Sequence, residues 1–106
     1  MSPHESYIEI GTLLGTSDTV VMGQMFGKES LKFQNKAFAA FHQESMVFRL
    51  GAQQIASIQA TYPTAENWDP SGKNRPMKDW LLVPSQFQSD WMALAQKALD
   101  QLKSTP

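Results

Sequence analysis

Hydrophobic residues recur along the chain with two different spacings, which divide it into helical and extended segments. Near the N-terminus, Tyr7, Ile10 and Leu14 lie three and four positions apart, so they share one face of a helix predicted over 6–14. The glycine, threonine, serine and aspartate of 15–18 form a cluster typical of a turn, and we expect the helix to end there.

The helical spacing returns at the C-terminus and predicts the most strongly patterned helix of the chain. Its apolar stripe contains Phe87, Trp91, Leu94, Ala95, Ala98 and Leu102. Ser85 and Gln88 stand three residues apart at the start of this segment, which is the spacing of a capping box. We therefore expect a side-chain cap at Ser85 and a core position for Trp91.

Between these helices, apolar and polar residues alternate with period two, which indicates strands that are buried on one face. The predicted strands and turns are, in order, a strand over 20–26, an alternation around Leu31 and Phe33, a hairpin turn at Asn35-Lys36, a strand over 37–41, a turn over 43–45, and the alternation of Met46, Phe48 and Leu50. Asparagine supports the hairpin turn because it tolerates positive φ.

The second half of the chain first returns to helical spacing and then to a strand. The segment 51–62 is predicted as a helix that Pro63 stops. The order Asp-Pro-Ser-Gly over 69–72 matches a type I turn. The strand that follows is predicted over 77–83.

Strands that follow one another through short turns pair in antiparallel fashion. The pattern therefore predicts an α+β domain, with an antiparallel sheet of five to six strands, built as a meander plus a hairpin, and three helices packed on it. Neither an internal repeat nor a low-complexity linker divides the sequence. We expect 1–106 to form a single domain.

Composition narrows the classes of function. Hydrophobic residues make up 42% and charged residues 18%, a balance typical of a globular protein. The net charge of -1 lacks the basic excess of a duplex DNA binder. Cysteine is absent, which excludes disulfides and fits a reducing cytosol. No apolar run approaches the roughly 18 residues of a membrane span, so we expect no membrane partner.

A resemblance to a known family rests on the order and spacing of several short segments. These are Met25-Phe26-Gly27, Lys36-Ala37-Phe38-Ala39, Met46 to Leu50, Asp69 to Gly72, Arg75 to Trp80, Val83-Pro84 and the C-terminal helix. Together they resemble the TfoX N-terminal domain family of small bacterial proteins, over nearly the whole chain. The resemblance implies a bacterial cytoplasmic protein with an α+β fold similar to the YjbR family, and a regulatory role without catalytic residues.

Cationic residues supply the most specific candidate site. Lys73, Arg75 and Lys78 cluster on or just after the loop that follows Asp69, and three lysines lie along the first hairpin. If hairpin and loop pack together, these side chains converge on an anion, which an arginine binds through two hydrogen bonds. Tryptophans nearby add faces for stacking a base. The candidate ligand-binding residues are Lys36, Lys73, Arg75, Lys78 and Trp80. In the competing interpretation, Arg75 forms an ion pair with Asp69 or Asp79 on a solvated surface.

Other reactive side chains have ordinary structural roles available. His4 lies at a terminus expected to fray and His42 at a strand end, and neither has a partner at metal-ligand spacing. Glu66, Asp69 and Asp79 flank the loop, and Asp69 is accounted for as the first residue of the turn. No phosphate-binding glycine loop, nucleophile elbow or zinc signature is present. We predict no catalytic residue, no metal and no cofactor.

The sequence therefore favours a non-enzymatic regulatory or protein-interaction module. A homodimer is expected among its partners, because a small sheet often buries an edge against another chain. The first alternative is binding of nucleic acid or a small anion through the Lys73/Arg75/Lys78 loop. The second is an uncharacterised enzyme that uses the loop between Trp68 and Trp80.

Overall fold

The computed structural model describes residues 2–25, 27–69, 73 and 76–104. They form one antiparallel sheet of six strands, and three α-helices pack against one face of it. The elements are α1 (Pro3–Asp18), β1 (Val21–Met25), β2 (Lys28–Phe33), β3 (Lys36–His42), β4 (Ser45–Arg49), α2 (Ala52–Ile58), β5 (Glu66–Asn67), β6 (Trp80–Val83) and α3 (Trp91–Lys103). The strands lie in the order β1-β2-β3-β4-β6-β5, and every neighbouring pair is antiparallel. The predicted α+β class is confirmed.

The N-terminal helix is longer at both ends than its apolar face predicted. Ser2 caps it, because the Ser2 hydroxyl accepts from the Glu5 amide at 3.2 Å and the Glu5 carboxylate accepts from the Ser2 amide at 2.9 Å. The predicted turn over 15–18 is wrong. Hydroxyl groups in that segment donate to carbonyls one turn earlier, and the helix ends only at Thr19, which has a φ of 56°.

A glycine lets this helix approach the sheet closely. Gly11 is buried in the middle of α1, where glycine costs up to about 1 kcal/mol relative to alanine. A Cβ built on Gly11 would lie 2.9 Å from the Leu31 side chain and would overlap the Met22 methyl group. The contact places α1 directly over β1 and β2.

The two hairpins at the centre of the sheet turn through residues with positive φ. Gln34 and Asn35, at 52° and 67°, join β2 to β3, and Gln43 and Glu44, at 48° and 67°, join β3 to β4. Two consecutive positive φ values match the twist of antiparallel strands. The first turn is thus one residue earlier than predicted, since Lys36 already pairs with Phe33.

Strands β3 and β4 are buried on both faces rather than on one. Met46, Val47 and Phe48 are consecutive in β4, and none has measurable exposure. Met46 and Phe48 pack under the helices, while Val47 packs in a second cluster on the opposite face. We call the two sides of the sheet the helix face and the loop face. The loop face is covered by Trp68 and Trp80.

The second helix ends earlier than predicted, and it is capped from a distant part of the chain. It stops at Ile58, so the interpretation of 51–62 as one helix is wrong in its second half. Asp79, 27 residues further on, accepts from the Ala52 amide at 3.1 Å through its carboxylate. Its backbone carbonyl accepts from the amides of Leu50 and Gly51. Asp79 therefore caps α2, while its alternative pairing with Arg75 involves a residue outside the described part of the chain.

The approach to the last helix also differs from the prediction. A 3₁₀ helix over Ser85–Asp90 precedes α3, and no side chain caps it, so the predicted capping box is wrong. The Gln88 amide instead donates to the Ser6 hydroxyl at 2.5 Å and to the Ser2 carbonyl at 3.3 Å, which ties this segment to α1. The predicted burial of the C-terminal apolar stripe is confirmed from Trp91 to Leu102, whereas Phe87 lies in the 3₁₀ helix and is only partly buried.

The final strands are shorter than the pattern predicted. Strand β6 occupies only Trp80–Val83 of the predicted 77–83, because the Trp80 amide donates to the Met77 carbonyl and closes a turn ahead of the strand. The two-residue strand β5 completes the predicted hairpin with β6, although no residue range had been assigned to it. The predicted type I turn over 69–72 lies, from 70 on, outside the described residues.

Replacing Trp91 tests whether the C-terminal helix anchors the core. Its ring is fully buried and its indole N–H donates to the Val83 carbonyl at 3.2 Å. Trp91→Ala should lower the free energy of unfolding by about 3–5 kcal/mol, measured by chemical denaturation. Lys97→Ala, on the exposed face of the same helix, should stay within about 0.5 kcal/mol of the parent. Equal losses in both variants would contradict this account of the core.

Candidate functional site

A polar cavity of about 440 Å³ opens where the cover of the loop face ends. It lies between the β3–β4 hairpin and the segment that contains β5. Its described lining residues are His42, Gln43, Ser45, Glu66, Asn67, Trp68, Asp69, Pro76 and Leu82. The cavity therefore combines an imidazole, two carboxylates and two amides beside one indole.

His42 is the side chain on which the cavity centres. It is the last residue of β3, and strand alternation places it on the loop face, opposite Ser45. Its ring meets the Trp68 ring edge to face, with centroids 6.0 Å apart. The Nδ1 atom is buried and has no hydrogen-bond partner in the described structure. A buried nitrogen of this kind is unusual, because most buried polar atoms are paired.

Burial holds the pKa of His42 below its ordinary value of 6.5, and the positive charge of Lys28 lowers it further. The register explains the second effect. Ser30 pairs with Ala40, so two positions further along the same strands Lys28 lies opposite His42. The imidazole is consequently neutral at pH 7, with one ring nitrogen available as an acceptor and the other as a donor.

The wall of the cavity opposite His42 is fixed by hydrogen bonds to one asparagine. The Asn67 side-chain amide donates to the backbone carbonyls of Met77, Lys78 and Trp80 at 3.1–3.3 Å. The backbone amide of Trp68 donates to the Trp80 carbonyl, and the backbone amide of Met77 donates to the Trp68 carbonyl at 2.8 Å. These bonds hold the two segments on either side of residues 70–75 in register. The wall carries Glu66 and Asp69 at its rim.

Among the described residues, none of the predicted cationic side chains lines this cavity. Lys36 lines a different depression, together with Phe33, Gln34, Leu102 and Lys103. Lys73 and Lys78 are exposed, and neither is among the described lining residues of the polar cavity. Arg75 lies outside the described residues. Lys36 therefore lines a depression other than the polar cavity, and the convergence of the candidate residues on an anion stays a prediction.

The tryptophan of the predicted site is buried. Trp80 is 8% exposed and Trp68 is 1% exposed, and their ring centroids lie 5.5 Å apart. Both rings belong to the cluster that covers Val47 and Ala40. A ring in such a position has no open face on which a nucleic-acid base can stack.

The N-terminal histidine has a defined place, although a frayed terminus was expected. His4 lies in α1, and its Nε2 is 2.6 Å from a carboxylate oxygen of Glu29 in β2. Its ring stacks on Tyr7 at 6.0 Å and meets Phe41 edge to face at 5.1 Å. The Tyr7 hydroxyl is buried beside them, and burial followed by the Glu29 charge raises the pKa of Tyr7. This cluster fastens α1 to the sheet.

Comparison with known proteins adds no relative to this description. No family model matches the chain, and a search of the curated proteins also finds no match. Across the described residues, no cluster of three or more histidines and carboxylates is arranged to hold a metal ion. No helix in that part of the chain is long and apolar enough to cross a membrane.

The pKa of His42 can be tested by titration. A histidine NMR titration of the folded protein should give His42 a pKa below 6.5. Lys28→Gln should raise it only partway, because burial is the larger cause. The unfolded chain takes up this proton near pH 6.5, before the folded chain does, so stability should fall as the pH drops from about 6.5 to the folded pKa. His42→Gln should remove that part of the fall. A His42 pKa at or above 6.5 would contradict the assignment.

Proposed function

We propose that this chain is a non-enzymatic protein-interaction module with a regulatory role. The observation that carries the proposal is the open edge of β1, which bears no charged residue and exposes apolar side chains on both faces. Val21 is 56% exposed and Met22 is 45% exposed. The resemblance to the TfoX N-terminal domain family supports the regulatory part, and with it a bacterial cytoplasmic setting.

The two edges of the sheet differ in how they are protected. Strand β5, at one edge, has two residues, Glu66 and Asn67, and both are polar. Strand β1, at the other, has five residues, with neither lysine nor proline among them. Natural sheets keep their edges from pairing by short strands, charge or proline. Strand β1 lacks all three, which supports a role in binding another chain.

The surroundings of His42 favour binding over catalysis. A histidine that acts as a general base has its second ring nitrogen oriented by a carboxylate or carbonyl. In the described structure His42 Nδ1 has no such partner, and the ring rests on Trp68. A nucleophile hydrogen-bonded to the imidazole is also required for covalent catalysis. Ser45 lines the cavity, but its hydroxyl makes no hydrogen bond to His42 among the described contacts.

Anion binding through the Lys73/Arg75/Lys78 loop remains the alternative, and it receives less support. The burial of Trp68 and Trp80 removes the stacking faces on which a nucleic-acid function depended. Glu66 and Asp69 bring negative charge to the cavity beside this loop. Phosphate contacts would weaken steeply with salt, so a binding assay at two salt concentrations distinguishes this alternative.

Photo-crosslinking in the protein's own host cell tests the interaction module. A photoreactive amino acid at Val21, on the open edge, should give covalent adducts with a defined partner. The same photoreactive amino acid in place of Lys97, on the exposed face of α3, should give no such adducts. Gln24→Pro should abolish the Val21 adducts, because Gln24 directs its backbone amide to the open edge. Equal labelling at both positions would contradict an edge-directed role.

A substrate screen tests the non-enzymatic part of the proposal. Purified protein should show no turnover that depends on the polar cavity. Turnover abolished by His42→Ala and retained by Met22→Lys would overturn the proposal in favour of an enzyme. The two substitutions lie on different faces of the sheet, so Met22→Lys serves as the control for His42→Ala. Circular dichroism melting would confirm that both variants fold.

A further inference from the structure

We propose that the partner of the β1 edge is a second copy of this chain, joined through antiparallel β1–β1 pairing about a twofold axis at Met22. The inference deepens the proposed interaction function and rests on it. In the resulting dimer, two six-stranded sheets form one continuous sheet, and the two α1 helices lie on the same face beside the axis.

The backbone of β1 fixes which residues can pair outward. Met25 and Lys28 form the last pair of the β1–β2 hairpin, and hydrogen-bonded and non-hydrogen-bonded pairs alternate from there. Met25, Gly23 and Val21 therefore direct their amides and carbonyls toward β2. Met22 and Gln24 direct theirs to the open edge. A second copy that pairs with β1 must use the same two residues.

The side chain of Lys32 selects the register. Three arrangements keep the faces of the sheet aligned and use the outward groups, with Met22, Gly23 or Gln24 on the axis. Gln24 on the axis moves the exposed apolar Val21 and Met22 away from the centre of the interface, which leaves the Met22 and Gly23 arrangements to compare. Lys32 lies across Gly23 on the loop face, since a Cβ built on Gly23 would lie 3.3 Å from Lys32 Cε and 3.6 Å from Nζ. With Gly23 on the axis, the two ammonium groups would face each other across one strand spacing of about 5 Å.

With Met22 on the axis, the two ammonium groups become diagonal neighbours at about 8 Å, where repulsion is weaker and salt screens it. In this register Met22 lies opposite its own copy on the helix face. Val21 lies opposite the Gly23 of the second copy on the loop face, beside the Lys32 side chain that crosses Gly23.

Helix α1 extends the apolar surface beside the strand. Gly11 of α1 contacts Met22, and Ile8 stands one turn before Gly11 on the flank toward β1. Ile8 is 39% exposed. Three of the four large apolar side chains that the described structure exposes, namely Ile8, Val21 and Met22, therefore border this edge. The fourth, Leu13, lies on the opposite flank of α1.

A second copy fits this edge better than an unrelated strand for two reasons. A twofold interface requires a surface that complements itself, and β1 carries no charged residue of its own, so the only like charges at the β1–β1 pairing are the two Lys32 ammonium groups of the neighbouring strands considered above. A standard interface removes about 800 Å² from each partner, roughly 13% of the 6040 Å² that this chain exposes. One strand edge and one helix flank lie at the small end of that range, so the dimer should dissociate with a constant in the micromolar range.

Single cysteines test the pairing and its register, because the chain has no cysteine of its own. Directly opposite residues of a hydrogen-bonded pair have Cα atoms about 5.5 Å apart, within the range of a disulfide. Under mild oxidation, Met22→Cys should form a disulfide dimer at least about ten times faster than Leu13→Cys, an exposed control on the same helix-face side. Equal rates would overturn the proposal, and faster crosslinking of Gly23→Cys would overturn the register.

Light scattering of the unmodified chain tests the dimer itself. The mass should rise from monomer toward dimer as the concentration passes through the micromolar range. Met22→Lys should shift the midpoint upward at least tenfold, and Leu13→Lys should leave it unchanged. A parent chain that stays monomeric at millimolar concentration overturns the second-copy inference. Edge-specific crosslinks from Val21 to a different protein would then still support the interaction function, so the two failures are distinguishable.

Discussion

The fold depends on covering both faces of the central strands. Val47 and Ala40 are fully buried on the face opposite the helices, so a sheet with helices alone would leave this apolar surface in water. Trp68 and Trp80 provide the cover, and backbone hydrogen bonds between their segments hold them in place. The polar cavity lies beside this cover, because Trp68 lines the cavity and contacts the His42 ring. Core packing and candidate site thus share Trp68.

Helical segments were predictable from spacing, but their ends were not. Tyr7 and Trp91 were placed correctly because apolar residues three and four positions apart line one face of a helix, and that face must be buried. The ends depend on contacts between distant residues, such as the capping of Ala52 by Asp79 or the use of Gln88 by α1. A local pattern contains no information about such partners.

The strands and the candidate site were also predictable only in part, because both depend on tertiary contacts. Alternation identified the buried Met46 and Phe48, but it left Val47 unassigned because only tertiary contacts decide whether the second face is covered. The lysine site assumed that Lys36 would join the loop, whereas the pairing of Lys36 with Phe33 places it beside α3. His42 carried a usable signal: a histidine that alternates with the core residue Phe41 at a strand end.

The capping of α2 by Asp79 has a consequence for the order in which the molecule folds. A helix of seven residues is unstable in isolation, since its nucleation outweighs so few hydrogen bonds. The acceptors of Asp79 reach the first amides of α2 only when β6 has paired with β4, which brings Asp79 alongside Leu50. Stable formation of this helix is therefore coupled to closure of the sheet. The same dependence makes α2 a separate unit of local opening, whose amide protons exchange with solvent while the sheet stays intact.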